Sequence, residues 1–441
     1  MFPLGYPQSP PSSAGAEATG SGLAVVHRFR HEEDPYHIDE TVAGGGMALR
    51  HISFDQVDEA CLQRLIETGA AESRGIEYKS ATYGGNDDAR AEFLADVSSL
   101  ANTAGGDLII GIAETNGVPT ALVPITGDFD AECLRLEGMA RDGLDPRIPN
   151  LRVRPVVIEG GAAIVLRVPR SYNPPHRVVF KGKNRFWARS SAGKYELDVD
   201  ELRTLFALAP QLADRIRGVR ADRVAKIAAG EGPVALAGVA RLVIHLIPYS
   251  AFDIGAGAAL SLDFVEQHPG FFPTLFWGHP ENWRVNFDGF LALSDPGVEA
   301  VMQRAYVQVF RSGIIEAVAN LGDGTRAIDA FALERQIVGL SREYAVSLKE
   351  CGVSPPFALL VSLLGTRTNR LVMGSGGIWP ADQVPLDREQ LHFPEVILEE
   401  IPESNQAYAP MVRPILDQLA NAAGRPSAAN FGADGNYQPK Y

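Results

Sequence analysis

The chain has 441 residues, 46% of them apolar and 21% charged, which allows two or three domains and excludes wholesale disorder or a fibrous repeat. Its net charge of −14 argues against a generic nucleic-acid coat protein. No apolar run approaches the ~20 residues that span a bilayer, and Cys61, Cys133 and Cys351 are too far apart for a disulfide framework or a zinc knuckle, so a cytoplasmic protein without a membrane partner is expected.

In chain order, residues 1–45 are rich in turn formers and predict a disordered leader without the greasy stretch of a signal peptide. A helix is expected over 54–68, capped by Ser53, with Phe54, Val57, Cys61, Leu62, Leu65 and Ile66 on one face and Gly69 at its end. A short strand over 75–80 points Ile76 and Tyr78 one way, Glu77 and Lys79 the other. Asp87 and Asp88 open a second helix through residue 100, with Phe93, Leu94, Val97 and Leu100 inward. It runs into Asn102-Thr103-Ala104-Gly105-Gly106, a cap and tight turn, and then a buried strand over 108–112.

Two strands over 151–158 and 163–168 are joined by Gly160-Gly161, and Asn173-Pro174-Pro175 leads to a basic hairpin over 178–189 and a helix over 197–208. The first domain is thus placed at 50–208. A linker helix within 209–232 leads to a C-terminal domain at 233–425, followed by a disordered tail, 426–441. In that domain the patterning predicts strands over 240–246, 306–310 and 357–364, and helices over 314–321, 328–348 and 408–423. The fold class is α/β in the broad, α+β sense.

Charge is unevenly spread. Residues 1–140 hold 8 Lys and Arg against 22 Asp and Glu, residues 141–194 hold 12 against 3, and residues 195–441 hold 20 against 29. The basic excess is confined to one stretch. There Arg170, Arg177, Lys181, Lys183, Arg185, Arg189 and Lys194 interleave with Tyr172, Phe180, Phe186 and Trp187, a composition that can grip phosphates while an aromatic ring stacks on a base. Lys181, Lys183 and Arg185 alternate to one side of a strand. The competing interpretation is a strand edge protected by charge.

Three features of residues 70–195 occur together: Glu72-Ser73-Arg74-Gly75-Ile76-Glu77-Tyr78-Lys79, the helix–glycine–strand unit from Phe93 to Ile112, and Phe186-Trp187-Ala188-Arg189-Ser190-Ser191. In this order they resemble the Schlafen-type AlbA-like, or divergent AAA, domain, over about residues 53–208. The resemblance implies nucleic acid (RNA or DNA) as partner. In nuclease members it implies a divalent-metal site, Mg²⁺ or Mn²⁺, with two acids of the first motif, its lysine, and an acid after the glycine-strand. Carried over, these are Glu72, Glu77 and Glu114 as metal ligands, with Lys79 completing the catalytic set. Converging carboxylates hold hard cations, and a lysine on the same face could polarise a phosphate. Many members have Asp where this chain has the longer Glu114.

Three outcomes stay open at this point: metal-dependent cleavage, binding without cleavage, and a regulator that senses ATP, another ligand or a partner and uses the domain for docking. A second copy of the chain is among the partners considered. Glu77 and Lys79 alone also fit a solvated strand face. Gly105-Gly106 lacks the Gly-Lys-Ser/Thr of a phosphate loop and is expected to turn the chain, as is the loop at 373–377. His245, inside an apolar run, is expected to be a hydrogen-bonded core histidine. Arg311 and Glu316 are a buried pair or a site, undecided by the sequence.

Overall fold

A computed structural model of the chain describes residues 49, 52–253, 260–294, 302–322, 327–367, 369–372, 385–432 and 434–439, with Lys183 described by its backbone alone. The expected leader at 1–45 and the loop at 373–377 lie outside the described residues.

An exposed aspartate cap opens the first helix: Asp58 accepts from Cys61 N, so α1 (Glu59–Glu67) starts later than the spacing predicts, after a single 3-10 turn at Phe54–Gln56. It is followed by β1 (Ile76–Lys79), α2 (Asp87–Thr103), β2 (Gly106–Ile110), the small hairpin β3 (Ile112–Thr115) and β4 (Val118–Leu122), and α3 (Phe129–Gly143). After β5 (Leu144–Asp145), β6 (Arg152–Ile158) and β7 (Gly161–Val168) complete a four-stranded sheet of order β1-β2-β7-β6, in which only β1 and β2 are parallel.

The sheet is buried on both faces. Leu108, Ile110, Ile164 and Leu166 pack under Phe93, Leu94, Val97 and Leu100 of α2 and Leu136 of α3. Ile76, Tyr78, Ile109 and Val165 pack against Leu62 and Leu65 of α1. Since Ile76 and Tyr78 face α1, strand alternation sends Glu77 and Lys79 to the α2 side. A second sheet, order β10-β9-β8-β5, holds the basic hairpin: β8 (Arg177–Phe180), β9 (Lys183–Ser190) and β10 (Gly193–Glu196).

Directly after β10, a capping box at Asp198 and Glu201 starts α4 (Val199–Ala228), one continuous helix running through Pro210. The sequence predicted two helices here. Proline removes one helical bond, but packing holds both sides: Phe206 meets Phe186 of β9 edge-on, while Leu212, Ile216, Val224 and Ile227 pack on the C-terminal sheet.

That sheet is built from β11 (Ala240–Pro248), β12 (Asn282–Val285), β13 (Gly289–Leu293), β14 (Ala305–Phe310), β15 (Ile315–Gly322), β17 (Phe357–Leu364), β19 (Gln390–His392) and β20 (Val396–Leu398). Its order is β12-β13-β14-β15-β11-β17-β19, with β20 also on β17. The short α5 (Leu262–Gln267), α6 (Ala330–Glu350) and α7 (Asn405–Ala422) join its larger core, and β16 (Ala327–Asp329) pairs with β18 (Arg370–Val372).

Residues 315–322 are a strand, not the helix their Ala and Glu content predicted; Ile315, Ala317 and Ala319 alternate into the core between β14 and β11. The segment after Arg425, for which composition predicted disorder, packs onto α6 and α7. There Ala428, Asn430 and Tyr437 are buried, Asn430 Nδ2 donates to Glu334 Oε1 at 3.0 Å, and Arg413 lies over the Phe431 ring.

Candidate functional site: a buried charge cluster beneath the basic hairpin

β1 delivers Glu77 and Lys79 to the space between the sheet and α2. Glu77 is only 7% exposed. Its Oε1 accepts from Lys79 Nζ at 2.5 Å and its Oε2 accepts from Arg189 Nη2 of β9. From α2, the fully buried Asp96 closes the other side. Its Oδ2 accepts from Tyr83 OH at 2.6 Å and lies 3.8 Å from Lys79 Nζ, while Oδ1 accepts from Lys194 Nζ at 2.8 Å. Lys194 also donates to Glu92 Oε1 at 2.7 Å. Acids and bases alternate through this chain of contacts.

The cluster sets its own ionisation. Burial works to raise the Glu77 carboxyl, but the Arg189 charge and the Lys79 hydrogen bond outweigh it and hold the group below the ordinary carboxylate range. Burial works to lower Lys79, and the Asp96 and Glu77 carboxylates outweigh it, so the amine stays charged to higher pH than usual. Glu72 behaves in the opposite way. It lies ahead of β1, is raised by its burial, and the nearby Glu77 charge adds to the rise. Its Oε1 accepts from Tyr78 N at 2.9 Å.

Glu114, on the β3–β4 hairpin, is exposed, and its Oε2 accepts from Gly117 N at 2.5 Å. Gly117 also ties this hairpin to Glu72, whose N–H donates to Gly117 O at 2.7 Å. Among the described residues no group of three or more His, Cys, Asp or Glu is arranged to hold a metal ion. The chemistry of the expected donors agrees: both Glu77 oxygens face cations, and Glu72 and Glu114 each spend an oxygen on a backbone N–H. These residues do not fit a three-carboxylate Mg²⁺ or Mn²⁺ site as they stand.

The hairpin is fixed from below by the end of α2. Asn102 Nδ2 donates to His176 O and Trp187 O, both at 2.9 Å, and its Oδ1 accepts from His176 N at 2.7 Å. Thr103 Oγ1 accepts from Arg189 N at 2.9 Å. The Asn-Thr of the motif therefore sets the position of Arg189 over Glu77. The following glycines turn the chain as expected. A side chain on Gly105 would strike the backbone of Val168–Arg170 and one on Gly106 the backbone of Gly75, while Gly105 N–H already donates to Leu100 O at 2.7 Å.

The basic stripe is not a free positive ribbon. Trp187 packs into the α2 core and Arg189, on the same side of β9, is 3% exposed, so that strand face turns inward at its C-terminal end. Elsewhere on the hairpin the cations are paired: Lys181 in the turn with Asp87, Arg185 on β9 with Glu196 at 3.3 Å, and the half-buried Arg177, at the end of β8 away from the turn, with Asp145 at 2.8 Å. Arg170 reaches the C-terminal half, donating to Asp253 at 2.6 Å and lying over Tyr172. The Lys183 side chain lies outside the described residues.

Sequence reasoning missed Asp96, Asn102 and Thr103 as parts of this cluster, and it read Lys194 as a phosphate-gripping cation where the structure pairs it with Asp96 and Glu92. A signal for Asp96 was present, since it falls on the apolar stripe of Phe93, Val97 and Leu100, where an acid must find partners. A hollow of about 250 Å³ lined by Arg141, Leu144, Arg147, Ile148 and Leu151 contains none of the expected residues.

The family comparison agrees with the motifs. Residues 72–198 match the family model described as Schlafen, AlbA_2. No curated protein matches the chain. Among solved structures, the DIP2311 protein from Corynebacterium diphtheriae aligns at 17% identity and a TM-score of 0.24, covering 34% of this chain and 32% of that one. The N-terminal domain of a RecG-related protein from Nitrosomonas europaea aligns at 23% identity and a TM-score of 0.18, covering 23% of this chain and 65% of that one. The chain thus spans about one third and just under two thirds of these two structures. Among the described residues no helix is long and apolar enough to cross a membrane.

Proposed function

We propose that the Schlafen AlbA_2 stretch of this chain binds nucleic acid through phosphate contacts along the β8–β9 hairpin, and that in the arrangement described it binds without cutting. One observation carries the reading. Three cations spread along the hairpin, Lys181 in its turn, Arg185 on β9 and Arg177 at the far end of β8, are held by exposed carboxylates, with side-chain exposures of 40–61% on the cations and 51–59% on their partners. Exposed pairs of this kind are worth roughly 0–1 kcal/mol each, so a phosphate can replace the carboxylate at little cost. Phosphate binding also releases counterions from the polyanion, which an intramolecular carboxylate does not. The buried cluster beneath has the role of a fixed support: Glu77 and Arg189 lock β9 to β1, and Lys194 locks β10 to α2. The family match supports the reading, since the resemblance implies a nucleic-acid partner. Cleavage is left out because Glu77 would have to release both Lys79 and Arg189 before it could face a cation.

The test is a charge reversal on the hairpin. Lys181→Glu combined with Arg185→Glu should weaken binding of a single-stranded RNA or DNA oligonucleotide by about tenfold or more at ~0.1 M salt and make the salt dependence shallower by roughly one to two ions released. Unchanged affinity and slope would move the nucleic-acid surface elsewhere. Added Mg²⁺ or Mn²⁺ should leave the oligonucleotide intact.

A further inference from the structure

Among the described residues the C-terminal sheet ends on an unpaired edge. β12 is the terminal strand in the sheet order, paired with β13, and all four of its residues are exposed. At the adjoining turn Asn286 and Gly289 exchange backbone hydrogen bonds. By the alternation of an antiparallel ladder, Trp283 and Val285 then turn their N–H and C=O groups away from β13. Edge strands are usually guarded by proline, lysine or a bulge. Asn-Trp-Arg-Val has neither proline nor lysine, and its register with β13 is regular.

Apolar surface gathers at the same place. Trp283 is 42% exposed, Val285 40%, and Phe287 at the turn 95%. The surrounding charge has one dominant sign. Glu281 precedes the strand, Asp288 follows it, and α5 beside β12 and β13 adds exposed Asp263 and Glu266. None of these four carboxylates has a salt-bridge partner among the described residues, and they outnumber two cations, Arg284 on the strand and Arg311, whose Nε donates to Phe287 O at 3.3 Å.

We propose that the β12 edge takes up an extended segment of a partner protein, with alternating basic and apolar residues, as an added strand. The outward backbone groups of Trp283 and Val285 supply the main-chain hydrogen bonds. Trp283 and Phe287 cover the apolar side chains, and the unpaired carboxylates select lysine or arginine. The surplus of carboxylates disfavours a nucleic acid at this edge, so the surface is separate from the hairpin.

A short peptide of alternating Lys and Val is the probe, with alternating Glu and Val as control, titrated against the full chain by calorimetry and tryptophan fluorescence. The Lys–Val peptide should bind and the Glu–Val peptide should not. Val285→Pro removes an outward N–H and no bond to β13, and should weaken binding by about tenfold. Trp283→Lys, an exposed substitution that leaves the core intact, should weaken it as well, with far-ultraviolet circular dichroism unchanged in both variants. Equal binding of the two peptides, absence of binding by either, or undiminished binding by Val285→Pro would overturn the proposal. Self-association of the chain through β12, detected by light scattering and abolished by Trp283→Lys, would also overturn it in favour of a second copy.

Discussion

Arg189 shows how a residue type can be read correctly and its role wrongly. Its sequence context, a basic run with aromatics, points to phosphate, yet strand parity puts it on the side of Trp187, facing α2, where Glu77 meets it. Glu77 and Lys79 were legible as a pair because they are two apart on a strand. Their partners were not, because Asp96, Arg189 and Lys194 arrive from other elements. Removing one member of such a buried pair leaves the other charge without compensation. Arg189→Ala should therefore lower the free energy of unfolding by about 3 kcal/mol, measured by denaturant titration. A loss below ~0.5 kcal/mol would show that the contact contributes little. Arg189→Lys should recover only part, since a single ammonium does not reproduce the fork geometry.

Individual elements divide by what specifies them. β17 matches the predicted 357–364 because a run of eight residues, all apolar but Ser362, has the length of a fully buried strand. α2 lies within three residues of its predicted end for a related reason: its acidic start and glycine stop are both local signals. β15 and α4 were misread because tertiary contacts override local propensity there: Ala and Glu do not announce a strand, and Pro210 does announce a break. The hairpin depends on the end of α2, where Asn102 alone satisfies three backbone groups. Asn102→Ala should strand those groups and cost roughly 2–4 kcal/mol. Amide hydrogen exchange should speed up in β8 and β9 ahead of the C-terminal sheet. Uniform protection across both sheets would contradict the clamp.

Over the whole molecule, the basic stretch is neutralised by acids from far along the chain. Asp55 meets Arg152, Asp107 meets Arg167, Asp253 meets Arg170 and Asp87 meets Lys181, while Arg152, Arg154 and Arg167 also surround the Phe54 ring. A net charge summed over a segment cannot reveal this, since the pairing acids lie outside it. α4 joins the two halves by the same means. Arg223 donates to both oxygens of the buried Glu316, at 2.7 and 2.8 Å, and His245 Nε2 lies 3.2 Å away, a hydrogen-bonded core histidine as expected. Arg311 instead reaches Phe287 O, so the suspected Arg311–Glu316 pair does not form.

Burial works to raise Glu316, but Arg223 and His245 bring it down to about 2 from 4.5. A carboxyl lowered on folding adds stability above its unfolded pKa of 4.5 and loses it as pH falls toward 2, here about 3 kcal/mol in all. Glu316→Gln should accordingly flatten the acid limb of the stability curve between these pH values. An unchanged limb would assign acid sensitivity to other carboxylates.

The most direct test of the hairpin as a phosphate-binding surface is the affinity of the unaltered chain for a single-stranded oligonucleotide across a salt series. Exchange of three exposed carboxylates for phosphates predicts that log K falls against log salt with a slope of about −2. A slope near zero, or no measurable association even at low salt, would contradict it.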